Sequence, residues 1–197
     1  MSESDENLMH SVRGGDVSKL GILFDRHHRA VLNFFFRMTG HKTVADDLAQ
    51  EVFFRILKYR NTFRDDSCFM AWMFHIARNV RVDYLRKHRD ETALEENHTI
   101  DIQSSSGPGQ QLEHQQQVVL LERAMFSLSP EKREVLILHR YHDMKYEQIA
   151  ELMGCAVGTV KTRAHRALKE LRDIFKNLLS EKTPCIVKKS ERSLRTM

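Results

Sequence analysis

Apolar residues recur at three- and four-residue steps through most of the chain, which is the spacing of one helical face. The repeat runs unbroken from Asp16 to Thr39, and Gly40 is placed to end that helix. A second helix is predicted to begin at Thr43 and a third after Ser67, each with the polar residue as its cap. The apolar positions expected to face the core are Leu20, Leu23, Phe24, Val31, Phe34, Phe35, Met38, Leu48, Val52, Phe53, Ile56, Phe69, Trp72, Met73, Ile76, Val80 and Tyr84. This half of the chain is therefore predicted to form a helical bundle.

The same periodicity returns further along the chain, in two helices that are predicted to meet at Gly154. The shared apolar face of the first helix comprises Tyr146, Ile149, Ala150, Leu152 and Met153. The stripe of the second helix comprises Val160, Ala164, Leu168, Leu171 and Phe175. Glycine permits the sharp turn that such a pair needs, so the segment predicts a helix-turn-helix.

The second helix of that pair carries polar and cationic residues on the faces that its apolar stripe leaves free. They are Lys161, Thr162, Arg163, His165 and Arg166. Donors placed there could reach phosphates and base edges while the stripe packs on the scaffold helix. A basic helix taken alone is also typical of a solvated face, or of one that touches a membrane or a partner. The tight turn and the preceding helix favour DNA binding.

Charge divides the chain into parts, although the formal net charge of +4 is modest. The stretch from Glu91 to Gln117 contains no Lys or Arg and has SSSGPGQQ in its middle, so it is predicted to be a flexible acidic linker. We therefore predict an all-α protein with two small helical domains, 1–90 and 118–180, joined by the linker 91–117. The basic tail 181–197 is expected to be disordered.

The third predicted helix has a polar face beside its apolar stripe. His75, Asn79, Asp83 and Arg86 follow steps of four, four and three, and Arg78 flanks them. Cations can follow the backbone of single-stranded nucleic acid, and an amide can pair with an exposed base edge. The spacing alone fits a solvated basic face equally well.

The residues that carry enzyme chemistry show no catalytic or metal-binding spacing. The three cysteines have no CxxC pair, and the eleven histidines form no HExxH, which leaves a metal-dependent enzyme as a weak alternative. No P-loop or G-x-S-x-G occurs, so we expect no enzyme activity, no metal and no cofactor. No apolar run is long enough to span a bilayer, and we expect a cytoplasmic protein with reduced thiols and no membrane insertion.

In their order and spacing, these segments resemble the extracytoplasmic-function (ECF) group of the bacterial sigma-70 family. FRDDSCFMAWMFHIARNVRVDYLRKHR resembles its region 2, DDLAQEVFFRILK its core-binding segment, and YEQIAELMGCAVGTVKTRAHRALKELR its region 4. The resemblance implies an alternative sigma factor that binds the beta-prime clamp and beta flap of core RNA polymerase. It also implies recognition of an upstream and a downstream promoter box, promoter melting, and an anti-sigma factor that could hold the protein near the membrane.

The resemblance also implies roles for particular residues. Asp47, Gln50 and Glu51, whose spacing alone fits a solvated surface, would contact the polymerase clamp. Asn79 would receive a base extruded from the non-template strand. The other residues implied at the downstream box are His75, Arg78, Asp83 and Arg86. The residues implied at the upstream box are Lys161, Thr162, Arg163, His165 and Arg166.

Three positions depart from the family's pattern. Lys145 stands where Ser or Thr commonly caps the scaffold helix, and Ala156 where Pro commonly opens the recognition helix. A lysine at a helix start opposes the dipole by about 0.3 to 1 kcal/mol. Asp83 stands where some relatives have an amide, which removes donors from that face. The alternative function is a stand-alone helix-turn-helix regulator, against which the region 2 pattern argues.

Overall fold

The computed structural model describes residues 3–88 and 110–182, and the regular elements within them are all helical. The first range contains α1 (Asp5–Arg13), α2 (Lys19–Thr39), α3 (Lys42–Lys58), a short 3-10 helix (Arg60–Thr62) and α4 (Phe69–Lys87). The second contains α5 (Gln110–Phe126), α6 (Pro130–Tyr141), α7 (Tyr146–Met153) and α8 (Val157–Lys182). The predicted all-α fold is confirmed.

Aromatic rings fill the centre of the bundle formed by α1 to α4. Phe34 lies with its ring 5.3 Å from that of Phe35 and 5.5 Å from that of Phe74, both edge-on. These three residues are fully buried, as expected for the Phe34–Phe35 pair from its place in the periodic stripe. Phe24 was also predicted in the core, but it is 37% exposed and stacks on His28 at the surface.

Helix α1 was not predicted, and it explains why one predicted cap is wrong. Ser4 accepts a hydrogen bond from the Asn7 amide at 3.3 Å and so caps α1 itself. From α1, the carboxylate of Glu6 accepts a hydrogen bond from the backbone N–H of Phe69 at 3.2 Å. This long-range carboxylate satisfies the first amide of α4, so Ser67 does not cap that helix.

The predicted cap of α3 is also wrong, because Thr43 lies within the first turn rather than before it. The helix begins at Lys42 and is preceded by His41 in an extended conformation. The core stripe of α3 is nevertheless as expected, because its predicted apolar positions are buried. A shift of one or two residues at a helix start leaves the buried face unchanged.

The turn between α7 and α8 has the geometry that the sequence predicts. Gly154 adopts the left-handed conformation with φ +64°, which an L side chain rarely tolerates. Its N–H reaches the carbonyl of Glu151 at 3.1 Å, and the Cys155 N–H reaches that of Ala150 at 3.0 Å. These bonds close the end of α7 and redirect the chain into α8.

Helix α5 begins at Gln110, which lies inside the segment predicted to be a linker. Residues 110–117 are therefore helical, and the helical second half starts earlier than the predicted position 118. The remainder of the predicted linker, 91–109, and the tail beyond 182 lie outside the described residues.

Candidate nucleic-acid interface

The polar face of α8 is fully formed and open to solvent. Lys161, Thr162, His165 and Arg166 are exposed, whereas Val160 and the alanines one and two turns on are buried against the rest of the helical group. Helix α8 packs on α5, α6 and α7, so its position is fixed by several neighbours. The four polar side chains therefore project from a rigid support, as a groove-reading helix requires.

The fifth residue predicted on this face, Arg163, is half-buried beside the turn. Its Nη1 atom lies 3.9 Å from the sulfur of Met153 on α7. Its guanidinium also lines a shallow cleft with Thr162, Arg166 and Lys132, at the place where the starts of α6 and α8 come together. Lys132 is paired with Glu170, and Glu131 also lines the cleft, so the groups that favour an anion there are Arg163, Arg166 and the amides at the two helix starts.

The start of α7 compensates in part for its unusual capping residue. Lys145 has the extended backbone of an N-cap, but its ammonium group cannot accept a hydrogen bond from the helix amides. Gln148 supplies the other half of a capping box, because its side-chain oxygen accepts from the Lys145 N–H at 3.0 Å. One amide is satisfied in this way, and the helix forms without a serine or threonine cap.

The predicted base-binding face of α4 is only partly free. Asn79 is exposed, and its side-chain nitrogen lies 3.3 Å from Nδ1 of His75, one turn earlier. Asp83 instead accepts a hydrogen bond from Arg55 of α3 at 2.7 Å, and that bond holds the pKa of its carboxyl below the usual range. Arg86 lies 3.3 Å from the other carboxylate oxygen and is otherwise exposed. Asp83 therefore ties α4 to α3, while His75 and Asn79 form the accessible polar pair.

Two arginines of α4 face an acid from the other half of the chain. Nε of Arg78 lies 3.3 Å, and Nη1 of Arg81 lies 3.8 Å, from separate carboxylate oxygens of Glu134 on α6. Glu134 is 2% exposed, and its burial raises the pKa of its carboxyl despite the two cations. Burial likewise lowers the pKa of Arg81. Sequence spacing placed Arg78 beside the polar face of α4, but gave no sign of Glu134 as its partner.

Helix α7 lies over the beginning of the same α4 face. A cavity of about 460 Å³ separates them, with Trp72 and His75 on one wall and Gln148, Glu151 and Leu152 on the other. Trp72 is half-buried, with its ring edge-on to Phe63 at 5.2 Å, so it packs in the bundle as the sequence favoured. The two predicted nucleic-acid faces thus differ in access, because α7 and α6 stand in front of α4.

Further contacts hold the two halves together around this acid. The guanidinium of Arg133, next to Glu134, donates to the carbonyl of Met38 in α2 at 3.2 Å. The same group also donates to three carbonyls at the end of α5 and the turn after it, which fixes the start of α6. They are those of Met125, Phe126 and Leu128.

At the other end of α6, His142 and Tyr141 contact the first half. The His142 ring lies 4.5 Å from that of Phe74 and 6.3 Å from that of Phe34. Burial, together with the nearby charge of Arg37, lowers the pKa of His142 to about 4. Arg37 itself lies over the ring of Tyr141 at 4.1 Å, in a cation–π contact.

The residues predicted to contact polymerase lie on α3, and an aromatic ring accompanies them. Asp47 and Gln50 are exposed, whereas Glu51 is half-buried and accepts a hydrogen bond from Arg55 at 2.6 Å. Phe54 is 61% exposed and lies one turn beyond Gln50 and two beyond Asp47, so it shares their face. Phe54 was not among the residues predicted to contact polymerase, and its helical spacing from Asp47 and Gln50 is the signal that could have found it.

Within the described residues, no cluster of His, Cys, Asp and Glu side chains has the arrangement of a metal site. In the same part of the chain, no helix combines the length and apolar character needed to cross a membrane.

Two protein-family models match this chain. The description "Sigma-70 region 2" matches residues 23–91, and "Sigma-70, region 4" matches residues 114–171. The first covers most of α2 and all of α3 and α4. The second covers most of α5, all of α6 and α7, and α8 as far as Leu171.

Curated relatives match over both halves. The RNA polymerase sigma factor YlaC of Bacillus subtilis is 30% identical over 152 residues, which cover 76% of this chain and 88% of the relative. The ECF RNA polymerase sigma factor EcfG of Rhodopseudomonas palustris is 34% identical over 139 residues, covering 70% and 75% of the two chains. Among solved structures, the sigma factor RpoE of Bartonella quintana, crystallised with the anti-sigma factor NepR, has a TM-score of 0.63 at 26% identity. That likeness covers 79% of this chain and 96% of the other.

Proposed function

Because this chain belongs to the ECF group of the bacterial sigma-70 family, its function is that of an RNA polymerase sigma factor, and we propose that it divides promoter recognition between α8 and α4. Residues 1–90 would form the downstream-box and polymerase-binding unit, and the helices from α5 (Gln110–Phe126) to residue 180 the upstream-box unit. The observation that supports this division best is the exposed row of donors on α8, which a buried stripe holds in place.

Helix α8 would lie in the major groove of the upstream box. Lys161, Thr162, His165 and Arg166 are exposed and can reach base edges or phosphates, while Arg163 lines the cleft at the helix start. That cleft joins the starts of two helices, where backbone amides and cations suit a backbone phosphate. The helix would thereby set the position of polymerase on duplex DNA.

Helix α4 would bind the opened non-template strand at the downstream box. Asn79 offers both a donor and an acceptor to a base edge, and His75 orients the amide from one turn away. Arg78 and Arg86 would follow the strand's phosphates. Asp83 would not contact the base directly, because its carboxylate accepts a hydrogen bond from Arg55. It would instead hold α4 in position against α3.

The exposed face of α3 would bind the polymerase clamp. Asp47 and Gln50 provide polar contacts, Glu51 is held in place by Arg55, and Phe54 provides an apolar anchor among them. Exposed aromatic residues surrounded by polar ones are typical of interface hot spots. Region 4 would in turn contact the beta flap of the same enzyme.

Strand opening would be driven by binding free energy, and phosphodiester chemistry would be left to the core enzyme. The protein itself would need no metal or cofactor. It would act in the cytoplasm, where polymerase and chromosome are found. An anti-sigma factor would keep it inactive, and the similar sigma factor of Bartonella quintana was crystallised in complex with a protein of that kind.

Run-off transcription tests this proposal directly. Genomic fragments are transcribed by core polymerase with and without the purified protein, and we expect new transcripts that start downstream of two separated boxes. The Phe54→Ala variant should lose core binding, whereas Phe24→Ala, which removes a less exposed phenylalanine from α2, should retain it. Absence of new transcripts at every salt concentration, or tight sequence-specific DNA binding with no complex with core, would contradict the proposal and favour a stand-alone regulator.

A further inference from the structure

The contact between Glu134 and the two α4 arginines joins the halves of the chain at a proposed DNA-binding face. Glu134 lies on α6 in the region 4 half, and both of its partners lie on α4 in the region 2 half. A carboxylate between two guanidinium groups occupies the position that a strand phosphate would take, because both are oxyanions recognised by arginine. Arg78 cannot bind Glu134 and a strand phosphate at the same time.

The geometry of this contact would allow another anion to replace Glu134 beside Arg78. Nε of Arg78 and Oε1 of Glu134 are 3.3 Å apart, yet neither atom makes an aligned hydrogen bond with any described residue. Only Glu134 is buried in this pair, and a buried carboxylate without an aligned hydrogen bond to its cation does not recover the cost of its own removal from water. The raised pKa of the Glu134 carboxyl has the same origin, since burial outweighs the attraction of the cations. A phosphate that offers better-aligned oxygens could therefore displace Glu134.

The surrounding contacts show that the obstruction covers more than one side chain. Helix α7 forms one wall of the cavity beside His75, so access to the beginning of the α4 face is narrowed from that side, although His75 itself is exposed. His142 packs on Phe74, and Tyr141 lies under the guanidinium of Arg37, which extends the contact along α6. Asn79 remains exposed between these points, but a strand could not lie along the whole of α4 while α6 and α7 occupy it.

We propose that Glu134 is an intramolecular substitute for a promoter-strand phosphate, which holds the free protein in a closed form whose downstream-box face is blocked. The role of α4 in this inference rests on the proposed function above, whereas the closure itself rests on contacts within the chain. Opening requires α6 and α7 to leave α4, and an open chain exposes Arg78 and Arg81 to nucleic acid. The closed form thus prevents promiscuous strand binding by protein that is not bound to polymerase.

Charge reversal at Glu134 tests both parts of this inference on the full chain. Glu134→Lys places a third cation beside Arg78 and Arg81, and like charges at such distances repel strongly when buried. Glu147→Lys is the matched control, because Glu147 is an exposed acid in the same half and its replacement changes the net charge equally. Small-angle X-ray scattering measures the radius of gyration, and fluorescence anisotropy measures affinity for a labelled single-stranded DNA of mixed sequence.

We expect Glu134→Lys to expand the protein and to bind the oligonucleotide roughly 3- to 10-fold more tightly than Glu147→Lys, which should stay compact. Circular dichroism verifies that both variants keep their helices. If Glu134→Lys fails to fold, Tyr141→Ala replaces it, because Tyr141 is an exposed contact of the same interface and its loss should also expand the chain. A variant that stays compact, or that expands without a gain in affinity over the control, would overturn the inference. Run-off transcription by the unaltered protein is scored separately, so failure of the sigma function would not be mistaken for failure of the closure.

Discussion

The faces of α8 and α4 carry similar polar chemistry, but only the face of α4 is partly obstructed by the other half of the chain. On α8 four of the five predicted DNA contacts are exposed, whereas on α4 Arg78 is paired with Glu134 and His75 faces a cavity walled by α7. Duplex DNA offers its groove without being opened, while a single strand becomes available only after melting. The difference indicates an order of events, in which upstream recognition needs no rearrangement and downstream binding requires the halves to separate.

The largest effect is expected from a core substitution in α7, the helix that supports α8. Ile149 is fully buried on α7, and Ile149→Ala should lower the free energy of unfolding of this half by about 2 to 5 kcal/mol through lost burial and a residual cavity. Chemical denaturation followed by circular dichroism measures the loss, with Ile22→Ala, at an exposed position, as control. An Ile149→Ala protein that unfolds at the same denaturant concentration as the parent would show that α7 does not support α8.

The next effect concerns upstream duplex binding alone. Arg166→Ala should weaken binding by about 1 to 3 kcal/mol at one base pair if the residue reads a base, or lower the salt slope by about 1 if it holds a phosphate. Lys176→Ala removes an exposed cation further along the same helix and should do neither. Titration of promoter duplexes at several salt concentrations separates the two roles. Equal losses in the two variants would refute a specific role for Arg166.

The contact that obstructs α4 should depend on pH, whereas the exposed face of α8 should not. The pKa of His142 is lowered to about 4 from an ordinary value of 6.5, so its contribution to closure is complete above that ordinary value and is lost as pH falls toward 4. Arg37 opposes protonation and Asp143 favours it, and both are near the ring. We expect scattering to show expansion of the parent protein through this range.

Protonation of Glu134 favours closure, whereas protonation of His142 opposes it, so the two effects must be measured separately. The pKa of the Glu134 carboxyl is raised in the closed form, because burial of the charged carboxylate is unfavourable. Above the raised pKa this penalty opposes closure, and protonation of the carboxyl at lower pH removes it. The variant His142→Leu leaves only this second effect and should remain compact when the parent has expanded. Identical pH profiles for the two proteins would exclude His142 as the group responsible.

The smallest effect is expected at the start of α7. Lys145 has N-cap backbone geometry but no acceptor in its side chain, so Lys145→Ser should add about 0.5 to 1 kcal/mol of stability. The Gln148 side chain already bonds the Lys145 N–H, which would complete a capping box. Thermal melting measures the gain, and Lys145→Ala controls for loss of the charge alone. A serine variant no more stable than the alanine variant would show that no free amide awaits a cap.

Local features of the fold could be predicted where neighbouring residues determine them. The Gly154 turn follows from a glycine between two amphipathic helices, and its left-handed φ is what that residue permits. The buried stripe of α3 was likewise readable, because helical periodicity does not depend on the exact first residue. The exposed face of α8 follows in the same way from the stripe opposite it.

Features that depend on distant residues could not be read from spacing. The N-terminus of α4 receives its acceptor from Glu6, 63 positions away, rather than from the adjacent Ser67. Glu134 has no periodic signature as a partner of Arg78, since that pairing requires α6 to lie against α4. Helix α1 did leave a signal in Ser4 followed by two acids, which is a common helix start.

The bond from Glu6 to the first amide of α4 has a practical consequence for anyone who dissects this protein. A fragment trimmed to α2, α3 and α4 retains the recognisable region but loses the acceptor that finishes the α4 terminus, together with the buried side chains Leu8, Met9 and Val12. Weak promoter binding by such a fragment would then reflect a damaged helix end rather than an unsuitable DNA sequence. Screens for the cognate promoter are therefore best performed with the amino-terminal helix intact.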